Sequence, residues 1–296
     1  MSRDIESSAE SPIAAARRLN NAQIAFIGCG IMGETMIAGL INNHYVSPEQ
    51  IVASHPRAER TKELHEKYGI RVFQDNAQAA KGLAAAERSI VVLSVKPQRL
   101  PAVLRDLKGS VDPDQLIVSI VAGATIKGLS EHLGIQRVVR AMPNTPSQIG
   151  KGITTWTCSS EVSDEDREMV KSLLTALGRE LYVETENMID MATSLSATGP
   201  TYIFMVMEAL TDAGVHMGFS REIAKELVQE TILGSVLFAM SSHKHPAELR
   251  NMVTSPGGTS AAAIYEMEKG GLRTVLSKAV YAAYRRAVEL GQRSEK

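Results

Sequence analysis

Near its amino end the chain holds a short β-rich run, Ala22-Gln23-Ile24-Ala25-Phe26-Ile27. It stops at Gly28 and leads through Gly28-Cys29-Gly30-Ile31-Met32-Gly33 into the helical periodicity of Glu34 to Asn43. No other stretch constrains the fold as tightly. A strand, a complete G-x-G-x-x-G and a helix, in that order, open a dinucleotide-binding sheet. The first glycine makes the tight turn, the second admits a pyrophosphate, and the third lets helix and strand pack closely.

The rest of such a sheet can be followed along the chain. A second strand, Gln50-Ile51-Val52-Ala53-Ser54, arrives about twenty residues after the glycine turn, where an NAD enzyme places an acid for the ribose diol. The chain reads Ser54-His55-Pro56-Arg57 instead, with Arg60 one helical turn on, so a 2'-phosphate finds a hydroxyl and cations rather than a repelling carboxylate. NADP is therefore predicted over NAD, although a neutral loop also accepts NAD. Arg57 and Arg60 read alternatively as the solvated face of a helix from Ala58 to Tyr68, Arg60 above all.

Arg71 to Phe73, the nearly all-apolar Ser89 to Val95, Leu116 to Val121 and Arg137 to Ala141 supply further strands, with helices opening at Asp75-Asn76 and Pro97. Lys96-Pro97, Ala122-Gly123-Ala124 and Met142-Pro143-Asn144-Thr145-Pro146 follow strand ends, which should all open on one crevice. Gly152 to Thr157 and Glu180 to Val183 bracket a helix from Ser163 to Gly178 and close the domain. The expected division is a disordered tail over residues 1–20, a Rossmann-type domain over 21–186 and an all-helical domain over 187–296. The fold class is thus α/β with a helical second domain.

From Asn187 onward strands vanish. Helices are predicted over Asp190 to Ser196 and Tyr202 to Met217 with a break at Gly199-Pro200, then Arg221 to Ser242, Ala247 to Val253, Ser260 to Lys269 and Leu272 to Gly291. They carry more apolar stripe than one layer can bury, which predicts subunit association over a purely intramolecular bundle. Between two of them lies Thr254-Ser255-Pro256-Gly257-Gly258-Thr259-Ser260, a loop whose glycines allow close approach of a ligand and whose following helix offers unpaired amides to an anion.

Composition removes other function classes. Lys plus Arg (32) balance Asp plus Glu (33) and are spread out, so neither nucleic acid nor an anionic membrane is an expected partner. No run approaches the roughly 18 apolar residues of a membrane span, and the first residues lack the apolar core of a signal peptide. Two distant cysteines, Cys29 and Cys158, argue against disulfides and structural zinc and fit a reducing cytoplasm. No metal site is expected, His243-Lys244-His245-Pro246 being the one histidine cluster. A small-molecule substrate is the default.

Val253 to Ser260, preceded by His245-Pro246-Ala247-Glu248-Leu249-Arg250 and followed by Ala-rich sequence into Glu266-Met267-Glu268, resembles the C-terminal signature of the pyrroline-5-carboxylate reductases. Ser94-Val95-Lys96-Pro97-Gln98, Arg140-Ala141-Met142-Pro143-Asn144-Thr145-Pro146 and Gly199-Pro200-Thr201-Tyr202 through Val215 resemble that family's other marks in the right order. The likeness covers nearly the whole chain from Ala22 to about Gly291. Two departures occur: Ser196-Ala197-Thr198-Gly199-Pro200-Thr201-Tyr202 replaces the usual Ser-Gly-Ser-Gly-Pro-Ala-Tyr, and Ser260 stands where a second threonine is usual.

The resemblance implies NAD(P)H-dependent reduction of 1-pyrroline-5-carboxylate to L-proline by a homodimer, commonly assembled into rings such as a decamer. It implies that Ser255, Pro256, Gly257, Gly258, Thr259 and Ser260 bind the substrate, with Ser260 as the catalytic group on the imine nitrogen. NADPH, or NADH, would lie on Gly28, Gly30, Ile31, Met32 and Gly33. Ser54, His55 and Arg57 would stand at the ribose phosphate, Asn76, Ser94, Lys96, Pro97 and Ala122 along the groove, and Met142, Pro143 and Asn144 near the nicotinamide. A β-hydroxyacid dehydrogenase of the same plan needs an acid/base lysine early in the helical domain, and Leu195 to Tyr202 holds neither Lys nor His. The remaining alternative is a dinucleotide-binding regulator without turnover.

Overall fold

The computed structural model describes residue 16, residues 18–83 and residues 88–294. Most of the expected N-terminal tail lies outside the described residues. Leu19, however, is fully buried, and Gln50 Nε2 donates to the carbonyls of Leu19 (3.0 Å) and Ala22 (2.8 Å). Packing therefore begins by Leu19, earlier than the expected start at residue 21.

Among the described residues the strands are β1 (Ala22–Ile27), β2 (Ile51–Ser54), β3 (Arg71–Phe73), β4 (Arg88–Leu93), β5 (Leu116–Ser119), β6 (Val138–Met142), β7 (Gly152–Cys158) and β8 (Gly178–Tyr182). They form one sheet in the order β3-β2-β1-β4-β5-β6-β7-β8. Neighbours run parallel except β6 and β7. Ile24 of β1 stands opposite Ile51 on one side and Ile90 on the other. The chain leaves β1 for β2 and β3, then returns to β4 on the opposite flank. The carboxyl ends of β1 and β4 are thereby the switch point at which sheets of this kind bind ligands.

Alternation along β1 separates two cores. Ile24 and Phe26 point into an apolar cluster shared with Met36, Ile37 and Leu40 of α1 (Ile31–Asn42), Leu64 of α2 (Ala58–Tyr68) and Met169, Val170, Leu173 and Leu174. Ala25 and Ile27 point to the other face, toward Ala79 and Ala80 of α3 (Asn76–Lys81), Leu100, Val103, Leu104 and Leu107 of α4 (Leu100–Leu107), and Leu129 and Leu133 of α5 (Ile126–Leu133). Each fully buried aliphatic side chain contributes about 1.5–3 kcal/mol, so both faces stabilise the sheet from within. The sequence reading left α5 unplaced. It is capped by Thr125, whose hydroxyl accepts from Gly128 N at 3.1 Å, and ends on Gly134 at φ +72°. The preceding group, Met169 to Leu174, belongs to α6 (Asp164–Thr175), opened by the reciprocal Ser163 and Asp166 cap.

By compactness the described residues divide into two units, Gly199 to Ala282 and the remainder. The short helix α7 (Asn187–Ala192) and the turn Thr193–Ala197 stay with the sheet unit, as do the residues from Ala283 onward. The helical unit, Gly199 to Ala282, contains α8 (Gly199–His216), α9 (Arg221–Ser241), α10 (Pro246–Met252), α11 (Thr259–Lys269) and the first part of α12 (Leu272–Ser294). A Cβ on Gly214 would lie 2.9 Å from Ala224 Cβ, so α8 and α9 meet closely where these small residues face each other. No described helix is long and apolar enough to cross a membrane.

Candidate active site

The glycine turn sits at the carboxyl end of β1, and the structure gives each glycine a separate constraint. Gly28 has φ +77°, and a Cβ there would come 2.0 Å from Val95 Cγ1. A Cβ on Gly33 would lie 2.7 Å from Ser94 Oγ, the contact that lets α1 approach β4. At Gly30 a Cβ would meet nothing closer than Gly28 O at 3.9 Å. Only at the second glycine does the added group project into open space, which is the space a pyrophosphate needs. Gly30 also provides no side-chain cap, so the first-turn amides of α1, from Ile31, Met32 and Gly33, remain available to an anion.

Hydrogen bonds hold the turn from below. Gly28 N donates to Ser54 Oγ (3.1 Å), Ser54 Oγ donates to Asn76 Oδ1 (2.8 Å), and Asn76 Nδ2 donates to Asp106 Oδ2 (3.1 Å). Cys29 N donates to Ser54 O at 2.8 Å, and Ser94 Oγ to Ile27 O at 3.2 Å. Ser54 is completely buried and its hydroxyl is engaged. Its place is therefore under the turn rather than at a 2'-phosphate, because a buried hydroxyl between two polar groups satisfies both.

The exposed groups at the end of β2 are Arg57 and, partly, His55. Burial and the neighbouring charges of Arg57 and Arg60 push the His55 imidazole below its usual pKa, which favours the neutral ring beside two cations. Arg60 is tied to Glu34, and its Nη1 lies 2.6 Å from Glu63 Oε1. Glu34 also accepts from Lys67 Nζ (2.8 Å) and Tyr68 OH (2.9 Å). Burial opposes ionisation of Glu34, but the hydrogen bonds from Lys67, Arg60 and Tyr68 outweigh it and hold the carboxyl at about 2. Burial pushes the Cys29 thiol up to about 12, which removes it as a nucleophile.

Further along the carboxyl edge, Lys96 is exposed and precedes the short turn Pro97–Arg99, while Pro97 and Ala122 line a cavity of about 500 Å³. Met142 is half-buried and Pro143 buried. The Asn144 side chain is occupied: Oδ1 accepts from Ile153 N (3.0 Å) and Nδ2 donates to Ser196 O (3.3 Å). Asn144 thus fixes the Met142-Pro143 segment to β7 and to the turn Thr193–Ala197.

Arg140, two residues before Met142 in β6, carries no role in the sequence analysis. It is buried at 3% exposure and binds Glu186 (3.0 Å) and Asp190 (2.5 Å), and Glu186 also accepts from Ile126 N at 2.8 Å. The signal was present: an arginine inside the otherwise apolar β6 must bring its own carboxylates.

The hydroxyl loop belongs to the helical unit. Thr254 Oγ1 donates to Arg250 O (2.7 Å), closing α10, and Gly258 N donates to Ser255 O (3.0 Å). Gly257 has φ +70° in open surroundings, and a Cβ on Gly258 would lie 2.4 Å from Ser255 Oγ, so the tight turn needs both glycines. Gly258 caps α11 without a side chain, and Thr259 and Ser260 occupy the first helical turn. Among the described residues the hydroxyls of Ser255, Thr259 and Ser260 have no protein partner. Pro256 is exposed at the apex and Ser260 is half-buried.

Two family models match: one described as pyrroline-5-carboxylate reductase dimerisation over residues 186–290, and one described as NADP oxidoreductase, coenzyme F420-dependent, over residues 23–123. A pyrroline-5-carboxylate reductase of Pseudomonas aeruginosa is 41% identical over 93% of this chain and 98% of its own length. This chain belongs to the pyrroline-5-carboxylate reductase family. A plant reductase of Arabidopsis thaliana is 36% identical over 91% of this chain and 96% of its own.

Solved reductases agree in fold. That of Coxiella burnetii superposes with a TM-score of 0.80 at 36% identity, covering 92% of this chain and 99% of its own. The Plasmodium falciparum structure with NADP bound gives 0.82 at 30% identity, covering 91% and 98%. The reductase signature read in the sequence at Val253 to Ser260 falls inside the segment matched as the dimerisation domain.

Proposed function

We propose that this chain reduces 1-pyrroline-5-carboxylate to L-proline with NADPH, accepting NADH less well, as the last step of proline synthesis in a reducing cytoplasm. The observation that carries this is the pairing of two anion cradles in one family member: the open Gly30 turn at the head of α1, and the partnerless hydroxyls at the head of α11. Gly28, Gly30, Ile31, Met32 and Gly33 would hold the pyrophosphate and Arg57 the 2'-phosphate, with His55 neutral beside it. Ser54, Asn76, Ser94 and Asn144 act one step back, holding the backbone that touches the cofactor. Lys96, Pro97, Ala122, Met142 and Pro143 would line the remainder of the groove.

When bound, the reduced nicotinamide supplies the hydride that adds to the C=N carbon. The protein's share is placement and charge. The amides opening α11 and the hydroxyls of Ser255 and Thr259 would take the substrate carboxylate. Ser260 would hydrogen-bond the imine nitrogen; a serine hydroxyl is a poor acid, so it orients an already protonated iminium or relays a proton from water. The same reading makes residues 187–296 the substrate-binding and dimerisation region and 21–186 the cofactor domain, with dimers closing into a ring.

The test is NADPH oxidation at 340 nm with pyrroline-5-carboxylate against a keto acid and no substrate. Ser260→Ala is expected to lower kcat at least about tenfold, the scale of one lost transition-state hydrogen bond. Unchanged steady-state kinetics would remove Ser260 from the mechanism. Light scattering of the purified protein reads the assembly.

A further inference from the structure

We propose that Glu34, through its ion pair with Arg60, sets how strongly this reductase discriminates NADPH from NADH. The proposal rests on the NAD(P)H-dependent reading above. NAD enzymes of this fold carry an acid at the end of β2, and here that strand ends in Ser54-His55-Pro56-Arg57. The carboxylate at this corner comes instead from the first turn of α1.

Glu34 and Glu63 occupy both terminal nitrogens of Arg60, whose side chain is only 14% exposed, and Glu34 also takes the ammonium of Lys67. Arg57, by contrast, is exposed and its guanidinium has no partner among the described residues. Of Arg57, Arg60 and Lys67, Arg57 is thus the cation with no carboxylate partner among the described residues, and it attracts a 2'-phosphate without excluding a ribose diol.

Neutralising Glu34 would free Arg60 Nη2 and Lys67 and make this corner more positive by one charge. The location fits the ribose: Glu34 N donates to Gly30 O at 2.9 Å and Arg60 N to Arg57 O at 3.1 Å, so the pair sits one helical turn from the glycine turn and from the end of β2.

The experiment measures kcat/KM for NADPH and for NADH at fixed ionic strength in the native enzyme, Glu34→Gln, and Glu34→Gln with Arg60→Gln. Glu34→Gln is expected to raise the NADPH-to-NADH ratio about threefold or more, through the KM for NADPH, on the scale of one exposed ion pair. Adding Arg60→Gln is expected to return the ratio to within about twofold of native, since the two groups act as one unit. Glu63→Gln, at the exposed end of the same guanidinium, shifts the ratio the same way by less and serves if Glu34→Gln does not fold. Equal changes for both cofactors, or a fall in the ratio, overturn the proposal.

Calorimetric binding of 2'-AMP against 5'-AMP reads the same corner without turnover. An unaltered preference in Glu34→Gln overturns the role of the pair. Absence of turnover in the native protein with a preserved 2'-AMP shift strikes the assigned reaction alone.

Discussion

The sheet unit and the helical unit solve the burial problem in opposite ways. In the sheet unit, alternate residues of β1 enter two separate cores, and Phe26, Ile24, Ile27 and Ile90 are wholly excluded from solvent. In the helical unit from Gly199 to Ala282, the described buried residues are Gly214 and Ala224, while Phe204, Leu233, Leu237, Phe238 and Val275 lie about half exposed or more in the single chain. A lone soluble chain rarely leaves contiguous apolar area of that kind uncovered. The helical unit lies within residues 186–290, which match the family's dimerisation domain, and its exposed apolar residues fit a face that a second copy would cover.

Breaking that second core should have the largest effect. Leu233 and Leu237 lie one turn apart on α9, so Leu233→Glu with Leu237→Glu places two charges on one face. The doubly substituted protein is expected to elute as a monomer and to lose reductase activity by about a hundredfold or more, because two buried carboxylates outweigh the association free energy of such a face. NADPH fluorescence should still respond to binding, since the glycine turn and β2 end belong to the sheet unit. A variant that remains dimeric would overturn the comparison.

The next effect is confined to the sheet unit. Arg140→Met removes a guanidinium that neutralises Glu186 and Asp190 and leaves two carboxylates facing each other at the end of β6. Breaking such a buried network is expected to cost about 3 kcal/mol, or roughly 10 °C in Tm. The loss should not vary with protein concentration, whereas destabilisation at the helical face should. Arg140→Met with Asp190→Asn should recover part of the loss, and failure to recover any would mean that the arginine acts through packing alone.

The same contrast explains what was legible in the chain. The positions of the strands follow from apolar runs bounded by glycine and proline, because local period and turn chemistry decide them, whereas their order and the antiparallel β6–β7 pair do not. The glycine turn was readable because its meaning depends on immediate neighbours. Long-range side-chain bonds were not readable: the burial of Ser54 under Gly28, the engagement of Asn144 with Ile153 and Ser196, and the Glu34–Arg60 pair join residues that no spacing rule connects. Which helices stay with the sheet was likewise not readable: Asn187–Ala192 belongs to the sheet unit by compactness, whereas the segment matched as the dimerisation domain begins at residue 186. Helix α5 was missed because its eight residues are a short amphipathic run interrupted by Gly128.

The smallest expected change in stability separates binding from folding within one turn. Gly28→Ala would force a side chain at φ +77° against Val95, and Gly33→Ala would press on Ser94; both should lower Tm. Gly30→Ala meets no atom within 3.9 Å and has an ordinary negative φ, so its Tm should stay within about 2 °C of native. The added methyl would enter the space proposed for the pyrophosphate, and KM for NADPH should rise about tenfold, equivalent to roughly 1.4 kcal/mol of lost binding. The KM for pyrroline-5-carboxylate should move far less, because its proposed cradle lies at the head of α11. If Gly30→Ala bound NADPH as the native enzyme does, the open space beside Gly30 would not be the cofactor's. The anion site would then have to be sought elsewhere along the carboxyl edge, where Lys96 is the next exposed cation.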